Sequence, residues 1–243
     1  PSKYDKLTSK EFKIKIDNEA KEKFKYLKIS YSNKDNKDYS TTERIENSHY
    51  IKSKFFDYDK TSLNKNIQLL DKSYIFNQGE HIVKKPIIIP DGFDLIINEG
   101  TSLNMLANTY IFIKNGIVKF NGSEDKPINI NSINDNILWN GIYINSDAFK
   151  NKKSVLKNVN ISNFTYFDNK NIQLTGGINF INSNADLSNI QISKSFAEDA
   201  INFVNSKFNL NSIKIDEAIS DGIDVDFGEG NIYGSKFTKI GGD

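Results

Sequence analysis

The chain has 243 residues with 32 basic and 31 acidic side chains, so its formal net charge of +1 gives no electrostatic reason to expect nucleic acid or an anionic membrane as a partner. It holds no cysteine, which excludes disulfides, thiolate metal sites and cysteine nucleophiles, and no run of about 18 apolar residues that would span a bilayer. Its 17 Phe and 11 Tyr are enough apolar material for one large β domain or two ordinary ones.

Taken in chain order, residues 1–78 read as a small β-rich module. Glu11–Asp17, Lys23–Ser32 and Tyr50–Asp59 alternate polar and apolar side chains, the period of half-buried strands, and Ser32–Thr42 reads as a polar linker. Asn18–Phe24 carries a short helix as the alternative reading. From Glu80 the character changes. Short apolar runs follow one another (PIIIP, DLIIN, TYIFI, GIVKF, PINI, GIYI, VLKNVNI, GINF, LSNIQI, AINF, LNSIKI, GIDVDF), and no helical-period stretch separates them.

These runs repeat. Ile178-Asn179-Phe180 aligns with Ile201-Asn202-Phe203 and Ile223-Asp224-Val225, at spacings of 23 and 22 residues. Leu187 aligns with Leu210 and Ile232, and Ile190 and Ile192 with Ile213 and Ile215. A fixed period of this length without a helix predicts an all-β fold, a parallel β-helix in which each strand pairs with its equivalent one repeat on. Alternate residues then face inward, so Ile178, Ile201 and Ile223 stack, Phe180 stacks on Phe203, and Asn179, Asn202 and Asp224 form an outward column. Asn179/Asn202 and Asn182/Asn205 read as amide ladders.

The segments Ile87–Met105 (IIIPDGFDLIINEGTSLNM), Ile111–Ile130 (IFIKNGIVKFNGSEDKPINI) and Leu138–Ile144 (LWNGIYI) resemble the opening turns of right-handed parallel β-helix proteins of the pectin-lyase-like superfamily. They are similar to the helix regions of large bacterial surface or secreted proteins. The resemblance implies a right-handed β-helix over residues 79–243 and an extracellular or cell-surface location, although residues 1–12 lack the apolar stretch of a signal peptide. It leaves activity open, because the same architecture carries lyases, hydrolases, epimerases and inert spacers. Lyases of the family use Arg or Lys as base beside carboxylates that hold calcium and the uronate, whereas the single arginine here is Arg44, outside the repeat. The Asp, His and Arg motifs of family hydrolases and epimerases are missing, and His49 and His81 read as surface residues. Only a lysine or paired-carboxylate mechanism using Lys214, Asp216, Glu217, Asp221, Asp224 or Asp226 survives, so no catalytic residue is assigned.

The expectation is a non-catalytic scaffold that binds carbohydrate or a protein partner; the competing one is a calcium-assisted lyase or hydrolase of an acidic glycan. Trp139 is a candidate stacking platform or a packing residue. The repeat lengthens from 22 to 36 residues between Gly141 and Gly177, so Ser162–Thr175 is expected to project as a loop, with Phe164, Tyr166, Phe167 and Asp168 as its binding candidates or as a cover for an apolar flank. Asp199, Asp221 and Asp243 recur every 22 residues. They read either as hydrogen-bonded turn residues or, with the Asp224/Asp226 pair, as calcium ligands. The closing Phe237–Asp243 looks like the opening of another repeat, so further repeats or a capping partner are expected there.

Overall fold

The computed structural model describes residues 26–32, 38–44, 67–146, 152–169 and 172–243. The strands expected at Glu11–Asp17 and Tyr50–Asp59, the alternative helix at Asn18–Phe24 and His49 lie outside the described residues. Two compact units part between Phe55 and Phe56. Among the described residues all regular structure is β-strand, and no helix is long and apolar enough to cross a membrane.

In the first unit Tyr26–Ser32 (β1) pairs antiparallel with Asp38–Arg44 (β2), in a register running from Tyr26↔Arg44 to Ser32↔Asp38. This corrects the expected linker at Ser32–Thr42, whose second half is strand. Tyr39, Thr41 and Thr42 are residue types that favour extended backbone, and they outweigh the polarity of the segment.

The described part of the second unit begins with another antiparallel hairpin, Ile67–Leu70 (β3) with Ser73–Phe76 (β4). Its two turn residues, Asp71 and Lys72, both take positive φ (44° and 61°), the hand of turn that suits twisted strands. Parallel pairing begins at Ser73, ahead of residue 79. The strands that follow are Gly79–Val83 (β5), Ile87–Ile89 (β6), Asp94–Asn98 (β7), Thr101–Met105 (β8), Ile111–Lys114 (β9), Val118–Asn121 (β10), Ile128–Ser132 (β11) and Ile142–Asn145 (β12). Then come Lys153–Phe164 (β13), Phe167–Asn169 (β14), Ile172–Leu174 (β15), Gly176–Ile181 (β16), Asn184–Ser195 (β17), Asp199–Val204 (β18), Lys207–Ala218 (β19), Asp221–Asp226 (β20), Glu229–Tyr233 (β21) and Lys236–Ile240 (β22).

Apart from the β14–β15 hairpin, these strands form three parallel ladders. The first runs β4, β7, β10, β13, β17, β19, β21. The second runs β5, β8, β11, then the later halves of β13, β17 and β19, then β22. Because β13, β17 and β19 are each 12 residues long and serve both ladders, the two make one 12-stranded sheet with β3. The third ladder, β6, β9, β12, β16, β18, β20, is a separate six-stranded sheet.

Residues with positive φ recur where the chain passes between ladders. Asn158, Asn189 and Ser212 bend the three long strands, Asn163, Lys194, Glu217 and Lys239 follow the second ladder, and Asn182, Asn205 and Phe227 follow the third. Asn tolerates this conformation best among residues with a Cβ. Asn189 Nδ2 also donates to Asn158 Oδ1 at 3.1 Å, tying one bend to the next.

The inward positions of both sheets share one apolar cluster, which includes Phe120, Ile130, Ile144, Phe180, Phe203 and Ile215. Its register follows the sequence repeat: Ile142, Ile178, Ile201 and Ile223 are successive strand partners. Phe180 stacks on Phe203 with centroids 5.0 Å apart, and Phe203 on Phe208 at 4.3 Å. Each such side chain contributes about 1.5–3 kcal/mol by leaving water. His81 is a correction: it is buried on this inward side, edge-on to Phe76, with Nε2 donating to the Asn77 carbonyl at 2.9 Å.

Candidate functional site

Three of the aromatic candidates divide between two interiors. Trp139 is 0 % exposed, donates Nε1–H to the Ser162 carbonyl at 2.9 Å, and packs its ring on Phe164 at 5.8 Å. Phe164 is equally buried, and its ring rests where Gly177 lacks a side chain: a Cβ there would lie 2.1 Å from Phe164 Cε2. Rings with no exposed surface have none to offer a sugar, so Trp139 and Phe164 are core.

The expected loop is a strap. Ser162 and Phe164 still belong to β13, and the excursion proper is the antiparallel pair β14–β15, in register from Phe167↔Leu174 to Asn169↔Ile172. Phe167 is buried in a second apolar cluster with Ile88, Tyr110 and Tyr143, on which Phe112 and Leu174 also pack. Ile88, Phe112 and Tyr143 are consecutive strand partners on the outward side of the six-stranded sheet. The hairpin therefore covers an apolar flank of that sheet. Burial pushes the Tyr110 hydroxyl up to about 12 and that of Tyr143 still further, so both stay neutral. Of the four loop candidates only Tyr166, half-buried with its carbonyl accepting from Asn140 Nδ2, and the exposed Asp168 keep accessible surface.

The outward side of the second ladder is different: it is open and polar. Two rows run along it through consecutive strand partners. One is Asn129, Asn160, Gln191, Lys214, Lys236; the other is Asn131, Ser162, Ser193, Asp216, Thr238. Neighbours within rows are bonded, Asn160 Nδ2 to Asn129 Oδ1 and Ser162 Oγ to Asn131 Oδ1, both at 2.9 Å, and Thr238 Oγ1 to Asp216 at 2.7 Å. A groove of about 510 Å³ follows these rows, and a second of about 470 Å³ flanks Asn160, Gln191 and Lys214 on the side of Ser123 and Asn158. Sequence reasoning singled out Lys214 and Asp216 here but missed the amide and hydroxyl rows. The signal was present in the polar alternates within and just after PINI, VLKNVNI and LSNIQI.

The acidic series does not behave as one unit. Asp199 and Asp221 are strand partners at the starts of β18 and β20. Asp199 is 4 % exposed, and its carboxylate accepts from Asn202 Nδ2 at 3.0 Å and Thr175 Oγ1 at 3.4 Å. Burial raises its pKa, the Asp224 and Glu198 carboxylates add to this, and the two hydrogen bonds oppose it. Asp221 Oδ1 accepts the Asp243 backbone N–H at 3.0 Å, as a turn residue does. Asp224 is half-buried beside Asn202 in register, whereas Asp226 is exposed. Among the described residues no three of His, Cys, Asp and Glu are grouped so that they could hold a metal ion together. The Asn column also needs correction. Asn182 and Asn205 are bonded as a ladder, but Asn179 and Asn202 are covered, and each turns its amide onto its own strand, toward the Gly176 carbonyl and Asp199.

In comparisons with protein families, curated proteins and solved structures, nothing matches this chain.

Proposed function

We propose that the repeat region winds as a right-handed parallel β-helix of the pectin-lyase-like kind and acts as a non-catalytic, extracellular scaffold that binds an extended carbohydrate chain along the outward side of its second ladder. The winding is supported by three parallel ladders sharing one core, and its hand by the strong preference of parallel crossovers for the right-handed sense. The binding reading rests on one observation: the paired rows Asn129 to Lys236 and Asn131 to Thr238, with their groove of about 510 Å³. Strand spacing places a fresh amide, hydroxyl or ammonium group about every 4.8 Å, a regular series of donors and acceptors facing a polymer of regular hydroxyls.

Catalysis finds less support on the same side. Asp216 is engaged by Thr238 and lies 3.6 Å from Lys239, and Glu217 holds Lys239 at 2.8 Å, so these carboxylates are tied up in side-chain contacts. Calcium enters this reading as a structural ion: bound at Asp221 or Asp224 it would stabilise the folded form by linkage, without turnover. Scanning calorimetry with calcium and with a chelator tests that role.

The binding test is calorimetric titration with a panel of neutral and acidic polysaccharides, with product analysis of the same mixtures. Asn160→Ala with Gln191→Ala is expected to weaken binding about tenfold, the loss of roughly one to two hydrogen bonds, with the unfolding midpoint nearly unchanged. Depolymerisation that disappears in Lys214→Ala or Asp216→Ala would replace the scaffold with an enzyme.

A further inference from the structure

The bend after the third ladder occurs three times with the same backbone and two different chemistries. Asn182, Asn205 and Phe227 take φ of 51°, 46° and 54°. Asn182 N–H donates to the Val204 carbonyl, and Asn205 N–H to that of Asp226, so each bend is clamped to the next. In the first two the left-handed conformation suits the residue, and Asn205 Nδ2 donates to Asn182 Oδ1 at 2.5 Å. At the third, a bulky ring occupies a position where L side chains are disfavoured and continues no ladder. Gly228 follows it because a Cβ there would lie 2.7 Å from the Ser206 carbonyl.

Among the described residues Phe227 gains almost no packing in return. It is 92 % exposed, whereas Val225, Ile232 and Phe237 on neighbouring strands are 38 %, 45 % and 40 % exposed. Those three rest partly on the repeat beneath them; the Phe227 ring stands clear. It borders a groove of about 360 Å³ whose other walls include Asn182, Asn205, Ser206, Lys207 and Glu229. None of these lines the two grooves of the second ladder. The charges in the groove are mutually satisfied, Lys207 Nζ lying 2.5 Å from Glu229 Oε1.

We propose that this bend is a separate carbohydrate subsite for a neutral pyranose unit, with the Phe227 ring against the C–H face of the sugar and the Asn205 and Asn182 amides bonding its hydroxyls. An exposed ring beside side-chain amides matches the two-sided chemistry of a sugar, one face C–H and the rim hydroxyl. Lys207, the one cation among the described groove-lining residues, is already partnered by Glu229. A protein hot spot would instead set its ring in a well-packed apolar surround, which is lacking among the groove-lining residues. The subsite goes beyond the polar-face reading and uses none of its residues.

The test titrates the protein with cellopentaose and mannopentaose, followed by chemical-shift changes of the Asn182 and Asn205 side-chain amides, in parallel for wild type, Phe227→Asn, Phe227→Trp and Asn160→Ala with Gln191→Ala. The expected result is binding by wild type and Phe227→Trp, at least about tenfold weaker binding by Phe227→Asn, and no change at these amides in the double variant. Phe227→Asn is also expected to unfold at a higher temperature, since it restores the residue that suits the bend. Absence of amide shifts with either sugar, or equal affinity in Phe227→Asn, would overturn the subsite. Self-association of wild type that Phe227→Asn abolishes would overturn it in favour of a protein contact. Loss of polysaccharide binding in the double variant alone reports on the polar face and leaves the Phe227 readout independent.

Discussion

Asp199 condenses the tension between local pattern and burial. A carboxylate at the start of a strand is ordinary, but here it is covered, held by Asn202 and Thr175, and near the Asp224 and Glu198 carboxylates. Its folded-state pKa is raised above the unfolded value, so the folded form holds the proton more tightly. The resulting stabilisation is fully present below the unfolded pKa and is lost as pH rises through the folded one. Asp199→Asn, which removes the charge and keeps an acceptor, is therefore expected to unfold at a higher temperature than wild type at neutral pH. The difference should vanish in acid below the usual carboxylate range. Thermal scans of both proteins across pH check this; a constant difference at all pH values would show that the charge is not its source. At the same scale, Trp139 was legible as an aromatic at the start of a repeat, but its role was not. The Ser162 carbonyl and the Phe164 ring that bury it come from a strand about one repeat later.

At the scale of elements, the β14–β15 hairpin decides what the outward side of the six-stranded sheet is for. Ile88, Phe112 and Tyr143 would otherwise present an apolar strip to water, and Phe167 is the side chain that closes it. Phe167→Ala is expected to cost about 3 kcal/mol, as large-to-small changes of buried Phe do, and to increase binding of a hydrophobic dye. Binding of polysaccharide to the second ladder should be unaffected, because the hairpin lines neither of its grooves. Unfolding curves and dye fluorescence measured on one preparation test both halves. Loss of polysaccharide binding with unchanged stability would return the hairpin to the role of a binding loop. The bends are the other lesson at this scale. Asn158, Asn189 and Ser212 sit inside long apolar-alternating runs that read as single strands, yet their left-handed backbone redirects the chain from one ladder to the next.

At the scale of the whole molecule, β20, β21 and β22 are each paired on one side only among the described strands. Ile232 and Phe237 are 45 % and 40 % exposed there, on strands with unpaired edges. An apolar strand edge left unpaired promotes strand-to-strand association. Ile232→Lys with Phe237→Lys is expected to lower the concentration-dependent association of the protein in sedimentation velocity and to leave the rest of the fold intact. Equal sedimentation of wild type and variant over a wide concentration range would show that this edge does not drive association.

The sequence by itself determined the inward register. Ile178, Ile201 and Ile223, and Phe180 with Phe203, are strand partners as the 22- to 23-residue period requires, because side chains alternate across a strand and a slip by one would expose the whole apolar set. It determined equally the Asn182–Asn205 ladder, a repeat of one residue type at one bend. What the period does not encode is the environment of the outward positions, which depends on segments far along the chain. Tyr143, Asn179, Asn202 and Asp224 stand at equivalent points of successive repeats, yet the first lies under a hairpin, the next two are buried and the last is half-exposed. Only the tertiary structure decided that Trp139, Phe164 and Phe167 are packing residues, that His81 is interior, and that Phe227 breaks an asparagine column to stand in water. Alternation says which side of the sheet a residue faces, and long-range packing says what meets it there.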